Sequence, residues 1–326
     1  MKRTIAIIYG GDSSEHDVSL RSAEGIYSFM DKERYNVYLV EITSKAWEVH
    51  LYDGGSLPID KNDFSFFENN EKVKPDYCYI TIHGTPGENG LLQGYLDLLH
   101  LPYSTSNVLV EALTFNKFTL NQYLRSWGIC VAESILIRQD QVITNEEVIN
   151  RIGLPCFIKP NAGGSSFGTT KVKTAEQIQP AIEMAMQEDG GEVIIEAFME
   201  GTEISCGHYK TKKREVALPI TEVVPETEFF DYDAKYNGKV QEITPARLSQ
   251  ELTDRVHQLD AAIYQILGCN GIIRMDYIIT EGEKINLLEI NTTPGMTATS
   301  FIPQQVRAAG MSMTDVLTEI IENQFE

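Results

Sequence analysis

Residues 271–297 of this chain read GIIRMDYIITEGEKINLLEINTTPGMT. Two short apolar runs rich in β-branched residues flank the turn Glu281-Gly282-Glu283, a pattern that predicts a β-hairpin. Glu289 and Asn291 are two residues apart on the second strand and share one face, and the hairpin brings Asp276 beside them. Two carboxylates and an amide oxygen are hard ligands. The hairpin therefore predicts a Mg²⁺ site that also holds substrate phosphates, rather than a solvated polar face.

The composition indicates a globular protein of more than one compact unit. Its 326 residues exceed one ordinary domain, and 42% of them are hydrophobic. The formal net charge of −20 argues against nucleic-acid binding. Any anionic substrate must therefore be held by locally placed cations and backbone N–H groups.

The cysteines and the apolar runs predict a cytoplasmic protein without membrane contact. The five cysteines are scattered and contain no C-x-x-C pair, which favours buried, reduced thiols. The apolar run at residues 4–9 is too short for a signal peptide and predicts a first strand. No apolar run approaches the length of a membrane span.

The first third of the chain alternates predicted strands and helices. Strands over 4–9, 35–42 and 77–83, with a helix from about His16 to Met30, predict a parallel sheet with helices on both faces. A ligand crevice is expected at the carboxyl ends of such strands, where residues 10–16 and 83–90 lie. A domain boundary is predicted near Pro102–Asn107.

The middle of the chain contains a glycine-rich loop between two predicted strands. Residues 158–172 read IKPNAGGSSFGTTKV, and the loop can lay N–H groups against phosphates while Lys159 supplies a cation. It is not a Walker A loop, because no Gly-Lys-Ser/Thr follows it. The alternative, an ordinary mobile loop, stays open on the residues alone. So does the choice between a ligand-covering lid and a solvated loop for residues 225–245.

Six segments in order resemble the D-alanine–D-alanine ligases of the ATP-grasp superfamily. They span the chain from end to end, and the ordered set is far more specific than any one segment. The segments are GGDSSEHDVSL (10–20), HGTPGENGLLQG (83–94), KPNAGGSSFG (159–168), AKY (234–236), RMD (274–276) and EINTTPGMT (289–297).

The resemblance implies an α/β, three-lobed ATP-grasp fold and a reaction. An N-terminal parallel-sheet lobe (1–106) would precede a central lobe (107–199) and a C-terminal lobe (200–326) that clamp ATP. One D-alanine carboxylate would attack the ATP γ-phosphate, and the amine of a second D-alanine would displace phosphate from the acyl phosphate. Positioning and charge neutralisation would dominate such catalysis. The resemblance also implies a homodimer.

The resemblance further implies roles for individual residues. Glu15 would bind the ammonium of the first D-alanine, with Ser165 and Tyr236 hydrogen-bonded to it. The cations on the phosphates would be Lys117, Lys159 and Lys235. The adenine site would be lined by Glu196, Ala197, Phe198 and Met199, with Glu203 on the ribose. Two Mg²⁺ ions, with Mn²⁺ as an alternative, would be held by Asp276, Glu289 and Asn291. The oxyanion donors would be Arg274 and the N–H of Gly295, and the second carboxylate would be bound by Ser300 and the N–H of Phe301.

Two positions depart from the family pattern, and two residues receive no role. The family often has lysine at the position of Ala197 and leucine at that of Phe301. His83 and Glu88 lie at the substrate end of the first lobe without an assignable function.

Competing interpretations are a D-alanine–D-lactate or D-alanine–D-serine ligase, another ATP-grasp carboxylate–amine ligase, and a nucleotide-binding regulator without catalysis. A dinucleotide-dependent dehydrogenase is excluded because no G-x-x-G fingerprint follows Gly10-Gly11. The complete lysine and metal-ligand set disfavours the regulator, and Tyr236 favours the dipeptide-forming enzyme.

Overall fold

The structure is a computed structural model that describes residues 2–13, 15–51, 54–164, 168–188, 191–225 and 240–326. Its strands are β1 (Arg3–Gly10), β2 (Tyr35–Ile42), β3 (Trp47–His50), β4 (Ser56–Pro58), β5 (Phe66–Glu68), β6 (Glu71–Val73), β7 (Tyr77–Ile80), β8 (Ser134–Arg138), β9 (Cys156–Pro160), β10 (Thr170–Val172), β11 (Glu192–Ala197), β12 (Thr202–Lys210), β13 (Glu215–Ala217), β14 (Thr221–Pro225), β15 (Val240–Ile243), β16 (Ile272–Thr280) and β17 (Lys284–Asn291). Its α-helices in this part of the chain are α1 (His16–Phe29), α2 (Leu91–Leu98), α3 (Val108–Phe115), α4 (Lys117–Ser126), α5 (Asn145–Arg151), α6 (Ile178–Met186), α7 (Gln250–Leu267), α8 (Phe301–Ala308) and α9 (Met313–Glu322).

The N-terminal sheet has the strand order β4-β3-β2-β1-β7. Strand β1 pairs in parallel with β2 and β7, so the predicted parallel pairing is confirmed at the centre of this sheet. The prediction is wrong at one edge, where β3 and β4 pair antiparallel. The connection from β2 to β3 is too short for the crossover that a parallel pair requires.

Two larger antiparallel sheets follow, while β5 and β6 pair as a separate two-stranded antiparallel sheet. The order β10-β9-β11-β8 makes one, and β15-β14-β12-β16-β17 makes the other, with β13 added to β12. The predicted hairpin is β16–β17, with Asp276 opposite Glu289 and Arg274 opposite Asn291. The register shifts just after Asp276, so the ladder is irregular beside the acidic pair. The predicted hairpin and its shared polar face are confirmed.

The last two helices pack against the first lobe. Ile302 of α8 and Val316 of α9 share one buried cluster with Ile5 of β1 and Ile26 of α1. All four side chains are fully buried. This packing brings the segment just before α8 close to the middle of α1, where the backbone N–H of Met296 donates to the Ser22 hydroxyl. The domain ranges 1–106, 107–199 and 200–326 stay predictions.

A buried acid lies beneath the C-terminal sheet. Asp260 of α7 is 0% exposed, and the Tyr277 hydroxyl donates a hydrogen bond of 2.5 Å to its Oδ1. Burial raises the pKa of Asp260 to about 7, although hydrogen bonds from Cys206 and Tyr277 oppose the rise. In the unfolded chain this carboxyl has its ordinary pKa near 3.8.

We expect Asp260→Asn to remove a pH-dependent loss of stability. Between the two pKa values the native state retains a proton that the unfolded chain has released, so stability falls as the pH rises from about 4 to 7. Above pH 7 the free energy of unfolding is lower by the full amount, about 4 kcal/mol, and below pH 4 this loss is absent. Urea unfolding should show that the free energy of unfolding falls less between pH 5 and pH 8 for Asp260→Asn than for wild type. Asp254→Asn, at an exposed position on the same helix, is the control and should behave as wild type. Equal falls in wild type and Asp260→Asn would contradict the assignment.

Candidate active site

Two adjoining cavities form one cleft between the sheets. Both are lined by Glu15, Lys117, Arg274 and Glu289, so these charged side chains lie where the cavities meet. One cavity also contains Lys159, Glu196, Ala197, Phe198, Met199, Glu203 and Asp276. The other also contains His83, Glu88, Asn291, Gly295 and Ser300.

The structure thus brings the predicted site residues into one cleft as far as it describes them. Ser165, Lys235 and Tyr236 lie outside the described residues. The individual roles assigned from the resemblance stay predictions.

Lys159 belongs to β9, lines the cleft and pairs with Glu196 of β11. The two strands are neighbours, and Lys159 Nζ lies 2.6 Å from Glu196 Oε2. Burial lowers the pKa of Lys159, but the Glu196 carboxylate outweighs it, so the net effect is a raised pKa. The lysine is therefore held as a cation in the cleft. The Glu196 carboxylate is thus engaged in this ion pair.

Asn121 is a site residue that the sequence interpretation missed. Its side-chain amide donates a hydrogen bond of 2.7 Å to Glu196 Oε1, and its own side chain is buried. Both Glu196 oxygens are therefore occupied, which fixes the carboxylate beside Lys159. Asn121 lies four residues after Lys117 on the same helix face, and that spacing was the available signal.

Lys117 begins α4 and is oriented by the glycine-rich loop. Its Nζ donates a hydrogen bond of 2.5 Å to the carbonyl oxygen of Gly163, and its backbone N–H donates to the carbonyl oxygen of Asn161. The Asn161 side chain accepts from the N–H of Phe118, the next residue of the helix. Burial, followed by the charge of Lys159, lowers the pKa of Lys117. Two ammonium groups so placed form a cationic site suited to phosphates.

The metal-ligand candidates surround Arg274. Arg274 Nη2 lies 2.7 Å from Asp276 Oδ2 and 3.6 Å from Glu289 Oε1. The Ser205 hydroxyl donates to Asp276 Oδ1 over 2.7 Å. Arginine thus balances the paired carboxylates that face each other across the hairpin.

This donor set fits a hard divalent cation. Asp276 and Glu289 supply carboxylate oxygens, and Asn291 supplies an amide oxygen that also accepts from the N–H of Thr293. The residues that the structure describes contain no cluster of three or more His, Cys, Asp or Glu side chains able to hold a metal by themselves. Ions such as Mg²⁺ use few protein carboxylates and complete their shell with phosphates and water.

The loop carrying Gly164 approaches Glu15 at the N-terminus of α1. Glu15 is buried, and a Cβ built on Gly164 would lie 2.8 Å from Glu15 Oε2. A side chain at position 164 would therefore displace the carboxylate or the loop. This close approach explains why a glycine is needed there.

The second cavity ends at the N-terminus of α8. Ser300 precedes the helix, and its hydroxyl accepts a hydrogen bond of 3.1 Å from the N–H of Thr297. Gly295 is adjacent, because a Cβ there would meet Ser300 Oγ at 3.0 Å. The first N–H groups of α8 and the backbone of Gly295 therefore lie together, which suits a carboxylate and a developing oxyanion.

His83 and Glu88 line this second cavity. Ser22 Oγ is 3.4 Å from His83 Nε2, and Glu88 accepts hydrogen bonds from the N–H of Gly84 and the hydroxyl of Thr293. Burial, followed by repulsion from Glu15, raises the pKa of Glu88 to about 7. Glu88 thus supports the turn that follows β17.

Comparison with known proteins agrees with this cleft. The N-terminal model of the D-Ala–D-Ala ligase family matches residues 4–106, and the C-terminal model matches residues 123–322. The chain belongs to the D-alanine–D-alanine ligase family. A D-alanine–D-alanine ligase from Phocaeicola vulgatus is 71% identical over 325 residues, covering 100% of both chains.

Solved structures of D-alanine ligases share the fold. A D-alanyl-alanine synthetase A from Vibrio cholerae has a TM-score of 0.88 and 26% identity, over 100% of this chain and 99% of the other. A D-Ala:D-Ser ligase from Enterococcus faecalis has a TM-score of 0.85 and 29% identity, over 98% of this chain and 99% of the other. The predicted ATP-grasp architecture is therefore confirmed.

Membership of the D-alanine–D-alanine ligase family implies the use of ATP together with metal ions. Within the described part of the chain, no helix combines the length and apolarity needed to cross a membrane.

We expect Lys159→Met to weaken ATP binding by about tenfold or more, because the cleft loses a partly buried cation suited to the phosphates. Glu196 would also lose its ion-pair partner. Calorimetric titration with a non-hydrolysable ATP analogue measures the change directly. Arg138→Met removes a cation from the exposed Arg138–Glu192 pair on β8 and is the control. Unchanged affinity in Lys159→Met would show that Lys159 does not contact the phosphates.

Proposed function

We propose that the protein ligates two D-alanine molecules to D-alanyl-D-alanine, with ATP converted to ADP and phosphate, as a step in peptidoglycan precursor synthesis. The observation that carries the proposal is the full-length match at 71% identity to a D-alanine–D-alanine ligase. The lysines, acidic hairpin and α8 N-terminus in one cleft supply the groups that this chemistry requires.

The first half of the reaction activates a carboxylate. Glu15 binds the ammonium of the first D-alanine. A carboxylate oxygen of that D-alanine attacks the γ-phosphorus while the bond from the γ-phosphorus to ADP breaks. Lys117 and Lys159 hold the phosphates and offset their charge. Ala197, Phe198 and Met199 line the adenine pocket beside the backbone of Glu196, and Glu203 takes the ribose hydroxyls.

Two Mg²⁺ ions, with Mn²⁺ as an alternative, would be held by Asp276, Glu289 and Asn291. When bound, such ions neutralise charge on the transferring phosphoryl group and orient it. The chain's own contribution is geometric. Arg274 and Ser205 fix the Asp276 carboxylate, so its direction toward the cleft is set before substrate arrives.

The second half of the reaction forms the peptide bond. Ser300 and the N–H of Phe301 hold the carboxylate of the second D-alanine, whose neutral amine attacks the acyl carbon. Arg274 and the N–H of Gly295 stabilise the oxyanion. The C–O bond to phosphate breaks as the amide forms, and the proton lost by the nitrogen leaves with the phosphate. The family resemblance adds Ser165, Lys235 and Tyr236 as closing contacts over Glu15 and the γ-phosphate.

The acceptor is the least constrained part of this proposal. The match to the enterococcal D-Ala:D-Ser ligase shows that a related enzyme of the same fold has a different acceptor, D-serine. D-Serine and D-lactate are therefore the second candidates for the acceptor.

The test is an acceptor comparison. Purified protein with ATP, Mg²⁺ and D-alanine should release phosphate and form D-alanyl-D-alanine. Adding D-serine, D-lactate or L-alanine should give little mixed product beside the dipeptide. A mixed product in excess of the dipeptide would reassign the acceptor, and no product with any acceptor would overturn the ligase proposal.

We further propose a cytoplasmic homodimer with domains 1–106, 107–199 and 200–326. Light scattering after size-exclusion chromatography measures the assembly, and a mass near 36.6 kDa would indicate a monomer instead.

A further inference from the structure

The segment that follows β17 is anchored by two acidic side chains outside the predicted site. This segment, residues 291–297, carries Asn291 and Gly295. Two of its threonines are hydrogen-bonded to different acids: the Thr293 hydroxyl donates to Glu88 over 2.7 Å, and the Thr292 hydroxyl donates to Glu111 over 2.5 Å. Glu88 already lines the cleft, whereas Glu111 lines neither cavity.

Both oxygens of the Glu111 carboxyl group accept hydrogen bonds. Glu111 belongs to α3 and is 0% exposed. Oε1 accepts a hydrogen bond of 2.9 Å from the backbone N–H of Ser106, while Oε2 faces the Thr292 hydroxyl. The carboxyl therefore joins the start of α3 to the turn after β17.

Glu111 has the electrostatic setting of a neutral acid. Burial raises its pKa well above the ordinary range, and the nearby Glu88 carboxylate adds to the rise. The described groups that influence its protonation include no cation. A neutral carboxyl tolerates such burial as long as its hydrogen bonds are satisfied.

The position of Glu111 connects two parts of the proposed catalytic machinery. Helix α3 ends at Phe115, and α4 begins two residues later with Lys117. On its other side Glu111 holds Thr292, which is next to Asn291 and three residues before Gly295. A shift of this contact would move the metal and oxyanion groups relative to the phosphate-binding lysine, and small displacements of that kind are costly in catalysis.

We propose that Glu111 is a positioning residue that holds the segment 291–297 in register with Lys117 for acyl transfer. This inference rests on the proposed ligase function. Its effect is on kcat, since Glu111 touches neither the adenine nor the phosphate side of the cleft. A purely structural role would instead lower stability without changing kcat of the folded enzyme.

Three variants of one contact test the proposal. Glu111→Ala should lower kcat for dipeptide synthesis about ten- to hundredfold, while KM for ATP changes less than about threefold. Glu111→Gln should retain at least about a third of wild-type kcat, because its amide can accept from the Ser106 N–H and donate to Thr292. Thr292→Val should lose about as much as Glu111→Ala. Combining Glu111→Ala with Thr292→Val should lower kcat no further than either change alone, because both remove the same contact.

Glu319→Ala is a matched control. Glu319 of α9 also accepts from a threonine hydroxyl, but its partner is Thr211, which lies outside the segment 291–297. This variant should unfold at lower temperature and keep wild-type kcat. If Glu111→Ala does not fold, Thr292→Val carries the test.

Two outcomes would overturn the role of Glu111. One is wild-type kcat in Glu111→Ala or Thr292→Val. The other is a combined loss equal to the product of the single losses. These outcomes require an active wild-type enzyme, so they are distinct from a failure of the ligase proposal, in which wild type itself forms no dipeptide.

Discussion

Glu289→Gln is expected to lower kcat by about a hundredfold or more while leaving the fold intact. Glutamine nearly matches glutamate in shape but carries no charge, so one anionic metal ligand is lost. Glu289 lies near the end of β17, and its side chain is 38% exposed, so we expect the fold not to depend on its charge. Steady-state kinetics at saturating ATP and a titration of Mg²⁺ measure the loss.

The control for this variant lies at the opposite end of the same hairpin. Glu283→Gln neutralises an exposed acid that pairs with Arg255, and it should behave as wild type. Near-normal kcat for Glu289→Gln at saturating Mg²⁺ would contradict the metal assignment. A large fall in the unfolding temperature of Glu289→Gln would instead attribute the lost activity to misfolding.

Arg274→Lys is expected to lower kcat by about 10²- to 10³-fold, the range seen when a fixed oxyanion donor is removed. Arginine contacts Asp276 through both Nε and Nη2 and reaches toward Glu289. Lysine keeps the charge but cannot form this two-point contact. The Asp276 carboxylate would lose its orientation together with the oxyanion donor.

Single-turnover kinetics separate the two half-reactions in Arg274→Lys. Formation of ADP should slow because Asp276 is misplaced. Formation of the dipeptide from the acyl phosphate should slow further, because the oxyanion donor is also lost. Arg255→Lys, at an exposed position on α7, is the control. If Arg274→Lys formed dipeptide at the wild-type rate, the oxyanion role would be wrong.

The hairpin and its polar face were predictable because strand periodicity and turn chemistry are local. The alternation around Asp276 and Glu289 fixes which side chains share a face, and the structure pairs them across the strands. The apolar stripe of α7 was predictable for the same reason. Its buried positions include Leu252, Val256 and Ile263.

Contacts between distant segments were not predictable from the residues alone. Glu111 is an isolated acid in an otherwise apolar helix, and only the fold reveals that Thr292, 181 residues away, faces it. Asn121 likewise gains its meaning from Glu196 on another strand. The short strands β3 and β4 were missed because runs of three or four residues carry too little periodicity to separate from loop.

The most direct test of the account is the fate of oxygen from D-alanine labelled with ¹⁸O in its carboxylate. With ATP and Mg²⁺, the attacking carboxylate oxygen should leave with the γ-phosphoryl group when the second amine displaces it. Mass spectrometry should therefore find D-alanyl-D-alanine with one labelled oxygen in its amide carbonyl and two in its terminal carboxylate, phosphate with one labelled oxygen, and unlabelled ADP. Unlabelled phosphate, label in the nucleotide, or ATP consumption without dipeptide would contradict ligation through D-alanyl phosphate.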